Sequence, residues 1–433
     1  MNDGPGAPQS RDAAGLPMPL RIAWRNLWRN TRRTALTAGG VAFAVFLVTA
    51  AMCLQLGSYH TMKETATGLL AGHLQIQHGD YRDSQRLEDA LPAAAELLAE
   101  VGSMPGIAAA SARVETFALA SVGERSFGAR IIGLDAAAER QVVDLHERIV
   151  AGRHIESAED AVLGTVLARN LGVAVGDEVV LLGSARQGGV AVLVANVAGL
   201  IESGMVELDR SLLLADITAV QNAFDLTDRA HRIVLRTTDL EEVATIAAAV
   251  RRTLPARWPD AAAEDAVPLR TLTWRDVLPE LNQAIEIDRL SAVLFYWLIM
   301  LLVAFSVVNT FIMTVFERRR EFGMLLAIGM RPGRVMLMLQ WEALFMWGIG
   351  TAAGMALAGA LVAWLAETGI YLGADMERLA SQMYMPARLY PVFAWEALLT
   401  APLVMLAGTQ VAAVLPSLRI RRIRPVDALR VAA

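Results

Sequence analysis

The residues best suited to do something chemical in this 433-residue chain lie between Glu317 and Arg334, where five arginines stand among two glutamates. Glu317 and Glu321 are four residues apart, so on a helix they share a face and can pair with Arg318, Arg319 and Arg320 between them. Groups of these types hold and transmit force; they are not the types that make or break covalent bonds. Phe322, Leu325, Leu326 and Ile328 give the same short helix an apolar face. It can lie against another protein and be pushed by it, or simply anchor the end of a membrane span. Glu342, a little further on, is the one acid at the border of an apolar span, and an acid at such depth is a functional candidate. Two roles fit it: a structural partner for nearby arginines such as Arg331 or Arg334, or a conformational latch.

Other chemistries lack their residues. A phosphate-binding P-loop needs a lysine after glycine, followed by Ser or Thr, and the only lysine, Lys63, stands between Met62 and Glu64. His60, His73 and His78 have no compact ligand spacing and no accompanying cysteine, so solvated or interface histidines are expected there, and no metal site. There is no G-x-S-x-G or other nucleophile signature, and no catalytic centre is expected.

The elements that must position these residues are membrane helices. With 55% apolar residues, the chain holds four stretches, 36–56, 290–316, 343–365 and 397–418, each near the roughly 20 residues that cross a hydrocarbon core. Residues 1–35 carry six arginines against two acids, 317–334 five against two, and 419–433 five against one. The positive-inside rule puts all three in the cytoplasm, and with them both termini. Residues 57–289 carry 21 basic and 34 acidic side chains, and the short loop 366–396 is also net acidic, so both are expected outside. The net charge of −5 hides this division, and nucleic-acid binding has no support. Cys53, the single cysteine, falls in the first span, which leaves the outer domain without an intrachain disulfide.

Residues 1–18 read as a disordered tail and not a signal peptide. Residues 19–35 read as an interfacial amphipathic helix, with Leu20, Ala23, Trp24, Leu27 and Trp28 on one stripe and Arg21, Arg25, Arg29 and Arg32 on the other. It is either a topology anchor or a helix that also abuts the rest of a larger machine. The outer segment is expected to be an α/β plus β-rich domain on a helical stalk. Its helices run over Glu88–Val101 and Leu240–Leu254, and its β-rich part from about Gly128 to Asp228. Leu278, Leu281, Ile285 and Leu290 recur near the helical period on the returning arm of the stalk. In the third span Gly350 and Gly354 make a GxxxG step that permits close helix contact, within the chain or across a dimer. Phe43, Phe46, Leu47, Phe295, Trp297 and Phe305 offer the first two spans apolar surface for a membrane cavity.

Asn309 near the end of the second span, then Glu317, Arg318, Glu321, Phe322, Gly323, Leu325, Ala327, Ile328 and Gly329, then Glu342 before a Gly-rich span, resemble the pattern of a known family. This is the MacB-type, or FtsX-like, permeases of ABC systems, and in arrangement the LolC/LolE-type lipoprotein-releasing members. Leu326 stands where many members carry Arg or Lys. Pro425, Val426, Ala428, Leu429 and Arg430 resemble the family's closing pattern, and VLGTVLARNLGVAVGDEVVLL its outer-domain helix and Val-Gly-Asp strand entry. The resemblance implies a multi-pass permease of the bacterial inner membrane that works as a dimer, with a second copy or a paralogue. Its ATPase would be a separate cytoplasmic chain that binds ATP and Mg, since no Walker A motif is present here. It implies that the helix from Glu317 to Gly329 couples nucleotide-driven closure to movement of the outer domain. The cargo would be lipid, lipoprotein or a hydrophobic small molecule, and a periplasmic carrier or adaptor would receive it. The alternative within the family is a signalling permease that activates an outside partner without transport.

Overall fold

A computed structural model of the chain describes residues 18–29, 31–259, 266–371, 373 and 388–418. The expected tail up to residue 17, residues 372 and 374–387 of the loop 366–396, and the segment 419–433 with its closing pattern lie outside the described residues. The chain divides into two compact units. The first comprises Met1–Ser58, Ile287–Ile370 and Arg388–Ala433, and the second Tyr59–Glu286 and Tyr371–Ala387.

The first unit is the membrane unit. Its helices are α1 (Met18–Arg29), α2 (Thr31–Ala66), α3 (Pro279–Glu317), α4 (Arg319–Ala327), α5 (Pro332–Thr368) and α6 (Trp395–Ser417). Four of them, α2, α3, α5 and α6, are long and apolar enough to span a bilayer. The basic segment expected as one helix over 19–35 is two: α1 stops at Arg29, and Arg32 and Arg33 already belong to α2. Thr34 reaches back across the break, its hydroxyl donating to the Leu27 carbonyl at 2.9 Å. Ala23 and Leu27 of α1 are buried in a core shared with Val41 and Val45 of α2, Phe311 of α3, Phe322 of α4 and Leu339 of α5. Trp24 packs edge-on to Phe345 at 5.2 Å between centroids. The indole of Trp347 on α5 donates to the Pro402 carbonyl of α6 at 3.0 Å.

Gly350 and Gly354 take α5 against α2. A Cβ on Gly350 would sit 2.6 Å from the Ala38 carbonyl oxygen, and one on Gly354 would overlap that of Ala42. Of the two contacts open at the sequence level, the GxxxG step therefore makes the one within the chain.

The second unit is built on one eleven-stranded sheet. Its strands in chain order are β1 (Leu74–His78), β2 (Ile107–Val122), β3 (Arg125–Leu134), β4 (Ile149–Gly152), β5 (Asp160–Gly164), β6 (Glu178–Ser184), β7 (Val190–Ile201), β8 (Leu212–Asp216), β9 (Arg232–Thr237), β10 (Arg257–Trp258) and β11 (Val267–Thr273). The spatial order is β10-β11-β1-β9-β2-β3-β8-β5-β7-β4, with β6 pairing both β2 and β7. Most pairs are antiparallel; β3–β8 and β5–β7 are parallel. The sixteen-residue strand β2 serves two cores. Ile107 and Ala110 pack beside Leu74, Leu97, Ile246 and Trp274, whereas Val114, Ala118 and Ala120 belong with Leu163, Leu181 and Phe224. The β-rich part thus begins some twenty residues before Gly128, because one strand runs through both parts of the domain. The two flanking helices are Ala94–Gly102 and Val243–Thr253. The first starts six residues later than Glu88, since Leu91–Pro92 is a short strand paired with Arg229–Ala230 and proline disfavours helix for the residue before it.

A buried ion pair and a buried amide fasten the chain's entry into this sheet. After α2 the backbone widens into one π-helical turn, Thr67–Ala71. Arg113 of β2 donates to the Leu70 carbonyl and pairs with Glu139, whose other oxygen accepts from Ser111. Gln75 donates to the Ala71 carbonyl at 2.7 Å. The carbonyls that the turn leaves open are thereby satisfied by side chains of the sheet.

Candidate functional site

At the end of α3 the sequence-marked residues come together. Glu317 is its last residue, and the Arg33 guanidinium of α2 donates to it at 2.9 Å. Arg318, in the break between α3 and α4, turns inward and is buried. Its Nε donates to Glu321 at 2.8 Å and its Nη1 to Glu342 of α5 at 2.9 Å, while its guanidinium lies 5.1 Å over the Phe322 ring. Glu342 is 5% exposed, and the same carboxylate oxygen accepts from the Asn26 amide of α1 at 2.6 Å. Glu321 also pairs with Arg29 of α1. Burial would raise the Glu321 carboxyl, but hydrogen bonds and charge from Arg318 and then Arg29 overcome it and hold it below the ordinary carboxylate range. One cluster of charge thus joins α1, α2, the end of α3, α4 and α5. Asn26, Arg33, Thr310, Thr314 and Glu342 border a small cleft of about 10 Å³, room for a single water.

Two expectations are corrected here. Glu342 pairs with Arg318 and Asn26 and not with Arg331 or Arg334, both of which are exposed. Arg334 sits eight residues before Glu342 on the same helix, about 12 Å of rise, which is too far for contact. The four apolar residues expected to share one face of α4 do not share it: Phe322 is fully buried and Leu325 and Leu326 half-buried, but Ile328 is 85% exposed. Six residues on from Phe322 is about 240° round a helix, which points it away. Arg319, Arg320, Met324 and Ala327 are exposed with it, and Gly323 is buried. Gly329 ends α4 with φ +97°. Met330 and Gly329 donate to the carbonyls of Leu325 and Leu326, a glycine-terminated helix stop, and Pro332 opens α5 at once.

Sequence reasoning missed Asn26, Arg29 and Arg33 as members of the cluster. They stand about three hundred residues from their partners, and their only advance signal was that a buried acid must be matched by donors. Asn309 stands apart from the cluster, on the exposed side of α3, whereas its neighbour Thr310 turns in to Thr37 at 3.2 Å. Phe43, Leu47, Phe295, Trp297 and Phe305 are exposed and Phe46 is half-buried. They face outward from α2 and α3.

In the second unit the buried groups are structural in form. Glu115 accepts from Arg130 at 2.8 Å and lies beside Arg232 and the Tyr81 hydroxyl. Burial pushes its carboxyl up, but Arg232 and Arg130 outweigh it and hold it at about 2. His231, stacked 4.8 Å from Tyr81, is lowered to about 4, chiefly by burial.

Comparison with known proteins places this architecture. Residues 34–253 match the family described as MacB-like periplasmic core domain, and residues 293–425 the one described as FtsX-like permease C-terminal. The lipoprotein-releasing system transmembrane protein LolC of Neisseria meningitidis is 26% identical over 338 residues, covering 75% of this chain and 78% of that one. LolC of Xylella fastidiosa is similar to the same extent. A solved structure of the periplasmic region of MacB from Actinobacillus actinomycetemcomitans aligns over 52% of this chain and 97% of its own, at 14% identity and a TM-score of 0.34. With four apolar spanning helices, and with one match covering half its length while a second takes up most of the remaining spans, the chain belongs to the family of ABC-type, FtsX-like permeases that carry a MacB-like periplasmic core domain.

Proposed function

We propose that this chain is a permease subunit driven by ATP and Mg bound on a separate ATPase chain, and that α4 is the surface on which that ATPase acts. The observation that carries the reading is the Arg318 cluster. A push on α4 meets a guanidinium hydrogen-bonded to Glu321 on α4 itself and to Glu342 on α5, while Asn26 and Arg29 connect the same carboxylates to α1. The exposed Arg319, Arg320, Met324 and Ile328 form the contact, and the cluster passes its movement to the spanning helices. The arginine-rich ends of these helices support a cytoplasmic placement of the cluster and of both termini. The cargo is an amphipathic molecule: lipid, lipoprotein or a hydrophobic small molecule. The lipoprotein-releasing names of the curated relatives support this class.

An outside partner has an observation of its own. Phe117, Leu119, Leu182, Val192 and Val194 are exposed on adjoining strands of the sheet, with Leu119 beside Leu182 and Leu182 beside Val192. This open apolar face suits a periplasmic carrier or adaptor. A signalling permease without transport would use the same face, so cargo decides between the two. The complex purified with its ATPase is assayed for co-purified lipid or lipoprotein and for its ATP-dependent release. Transport predicts release that stops in the Glu342→Gln complex while hydrolysis continues. Absence of any lipid cargo, with a cell-wall hydrolase bound to the sheet face, would favour signalling. ATP hydrolysis by the isolated chain would overturn both.

A further inference from the structure

The sheet of the second unit has an edge strand that stops short. β10 is two residues long, and its pairing with β11 sets Arg257 opposite Pro268 and Trp258 opposite Val267. One further bond extends the pair, from the Leu269 N–H to the Ala256 carbonyl at 3.0 Å. Continued in that register, Pro255 would face Arg270 and Leu254 would face Thr271. The chain leaves the sheet instead. Pro255 has no N–H to give a ladder, and the Leu254 N–H is committed to the Val250 carbonyl, where it closes the helix Val243–Thr253. β1 pairs the other side of β11 from Leu269 to Thr273, so past Leu269 the outer side of β11 has no strand partner among the described residues. In an antiparallel ladder alternate residues turn their backbone groups to the same side. Leu269 turns outward, and Thr271 and Thr273 turn with it. The Thr273 N–H is taken by the Asp276 carboxylate at 2.9 Å, and the Thr271 carbonyl by the Arg251 guanidinium at 3.0 Å. The Thr271 N–H finds no acceptor among the described residues.

Thr271 lines a cleft of about 450 Å³, in which Leu254, Leu269 and Leu272 mix with Arg251 and Arg270. Asp276 is the one acid of that lining, and its carboxylate is spent on the N–H and hydroxyl of Thr273. Arg252 and Arg275, next in sequence to two lining residues, are exposed as well. Residues 57–289 carry 34 acids against 21 bases, so a basic cleft here runs against the composition of its own domain. Exposed sheet edges are ordinarily blunted; this one keeps an open donor with positive charge around it. We propose that the edge of β11 from Arg270 to Thr273 receives an extended acidic peptide segment of another protein by strand addition. A peptide carbonyl takes the Thr271 N–H, and the peptide's carboxylates pair with Arg251 and Arg270. Arg251 now holds the carbonyl that a peptide N–H would take, and turns to a carboxylate when the peptide arrives. The open edge is about 10 Å long, room for three or four extended residues. It stands at the β10 end of the strand order, apart from the apolar face on β2, β6 and β7, and does not depend on the permease's cargo.

The test uses the full-length chain in detergent and a fluorescent peptide with blocked ends in which glutamate and valine alternate, read by anisotropy. Saturable binding is expected, and Arg251→Gln combined with Arg270→Gln should weaken it about tenfold or more, the scale of lost hydrogen bonds to charged groups. A peptide with lysine in place of glutamate should not bind. Methylating one alternate set of the peptide's backbone amides should abolish binding and methylating the other should spare it, because only one set faces β11. A second measurement covers the case in which the arginine changes disturb folding. In the unsubstituted chain, amide hydrogen exchange at Thr271 should slow about tenfold or more when the peptide is added, and the apolar face on β6 and β7 should not change. No saturable binding of the acidic peptide, equal binding of the lysine form, or equal binding of both methylated forms would each overturn the proposal. Displacement by inorganic phosphate at the peptide's own concentration would reduce the cleft to a simple anion site and overturn it too.

Discussion

Glu342 receives two donors on one oxygen, the Arg318 guanidinium and the Asn26 amide, and both charged side chains are buried. Removing the Glu342 charge leaves Arg318 with Glu321 as its one remaining carboxylate, so the loss falls below the about 3–5 kcal/mol of a buried charge left wholly unpaired, whereas replacing both partners with apolar groups of similar size costs less still. Glu342→Gln should therefore lower the thermal midpoint of the detergent-solubilised chain, and Arg318→Met combined with Glu342→Leu should recover most of it. If the cluster also transmits motion, the double variant regains stability but not ATP-dependent release. Recovery of both would reduce the cluster to a staple. The sequence marked Glu342 and Arg318 separately but joined Glu342 to the wrong arginines. Spacing along one helix reports only its own neighbours, and the real partner arrives through packing of the end of α3 against α5.

At the scale of elements, α4 divides cleanly into a packed face led by Phe322 and an outer face led by Ile328. Ile328→Asp should leave the unfolding midpoint within the small range typical of exposed sites, about 0.5 kcal/mol, and should abolish stimulation of the ATPase. A large drop in midpoint would mean that Ile328 is held by the fold after all. On α5, Gly354→Leu drives a side chain into the α2 backbone, and overpacking of that kind costs about 1–3 kcal/mol or more; Gly348→Leu, where a Cβ meets nothing within 4 Å, is the matched control. The four spans were legible because hydrophobic length needs no tertiary context. The division of the basic segment between α1 and α2 was not, since the arginines of both helices read as one amphipathic stripe. Nor was the early start of the β-rich part: β2 is buried on both faces over Ser111–Thr116, and only its partners show that it crosses from one core to the other.

For the whole molecule, two buried groups set a common acid limit. His231 is held at about 4 by burial, so the unfolded chain binds its proton first as pH falls. Its contribution is complete above about 6.5 and is lost as pH drops toward 4, about 2 kcal/mol between pH 7 and pH 5. Glu115, held at about 2 despite its burial by Arg232 and Arg130, adds a further loss between about 4.5 and 2. Urea unfolding of the full chain should thus show a lower midpoint at pH 5 than at pH 7, and His231→Asn should shrink that difference; an equal or larger difference would contradict the assignment. The permease reading itself turns on the outer face of α4 meeting an ATPase. The most direct measurement places a single cysteine at Ile328 in the Cys53→Ala chain, cross-links it in native membranes, and identifies the product by mass spectrometry. The account predicts a cross-link to a polypeptide with a Walker A motif, with the yield changing when ATP is added. No such product from position 328, with an ABC ATPase cross-linking instead through another part of the chain, would contradict it.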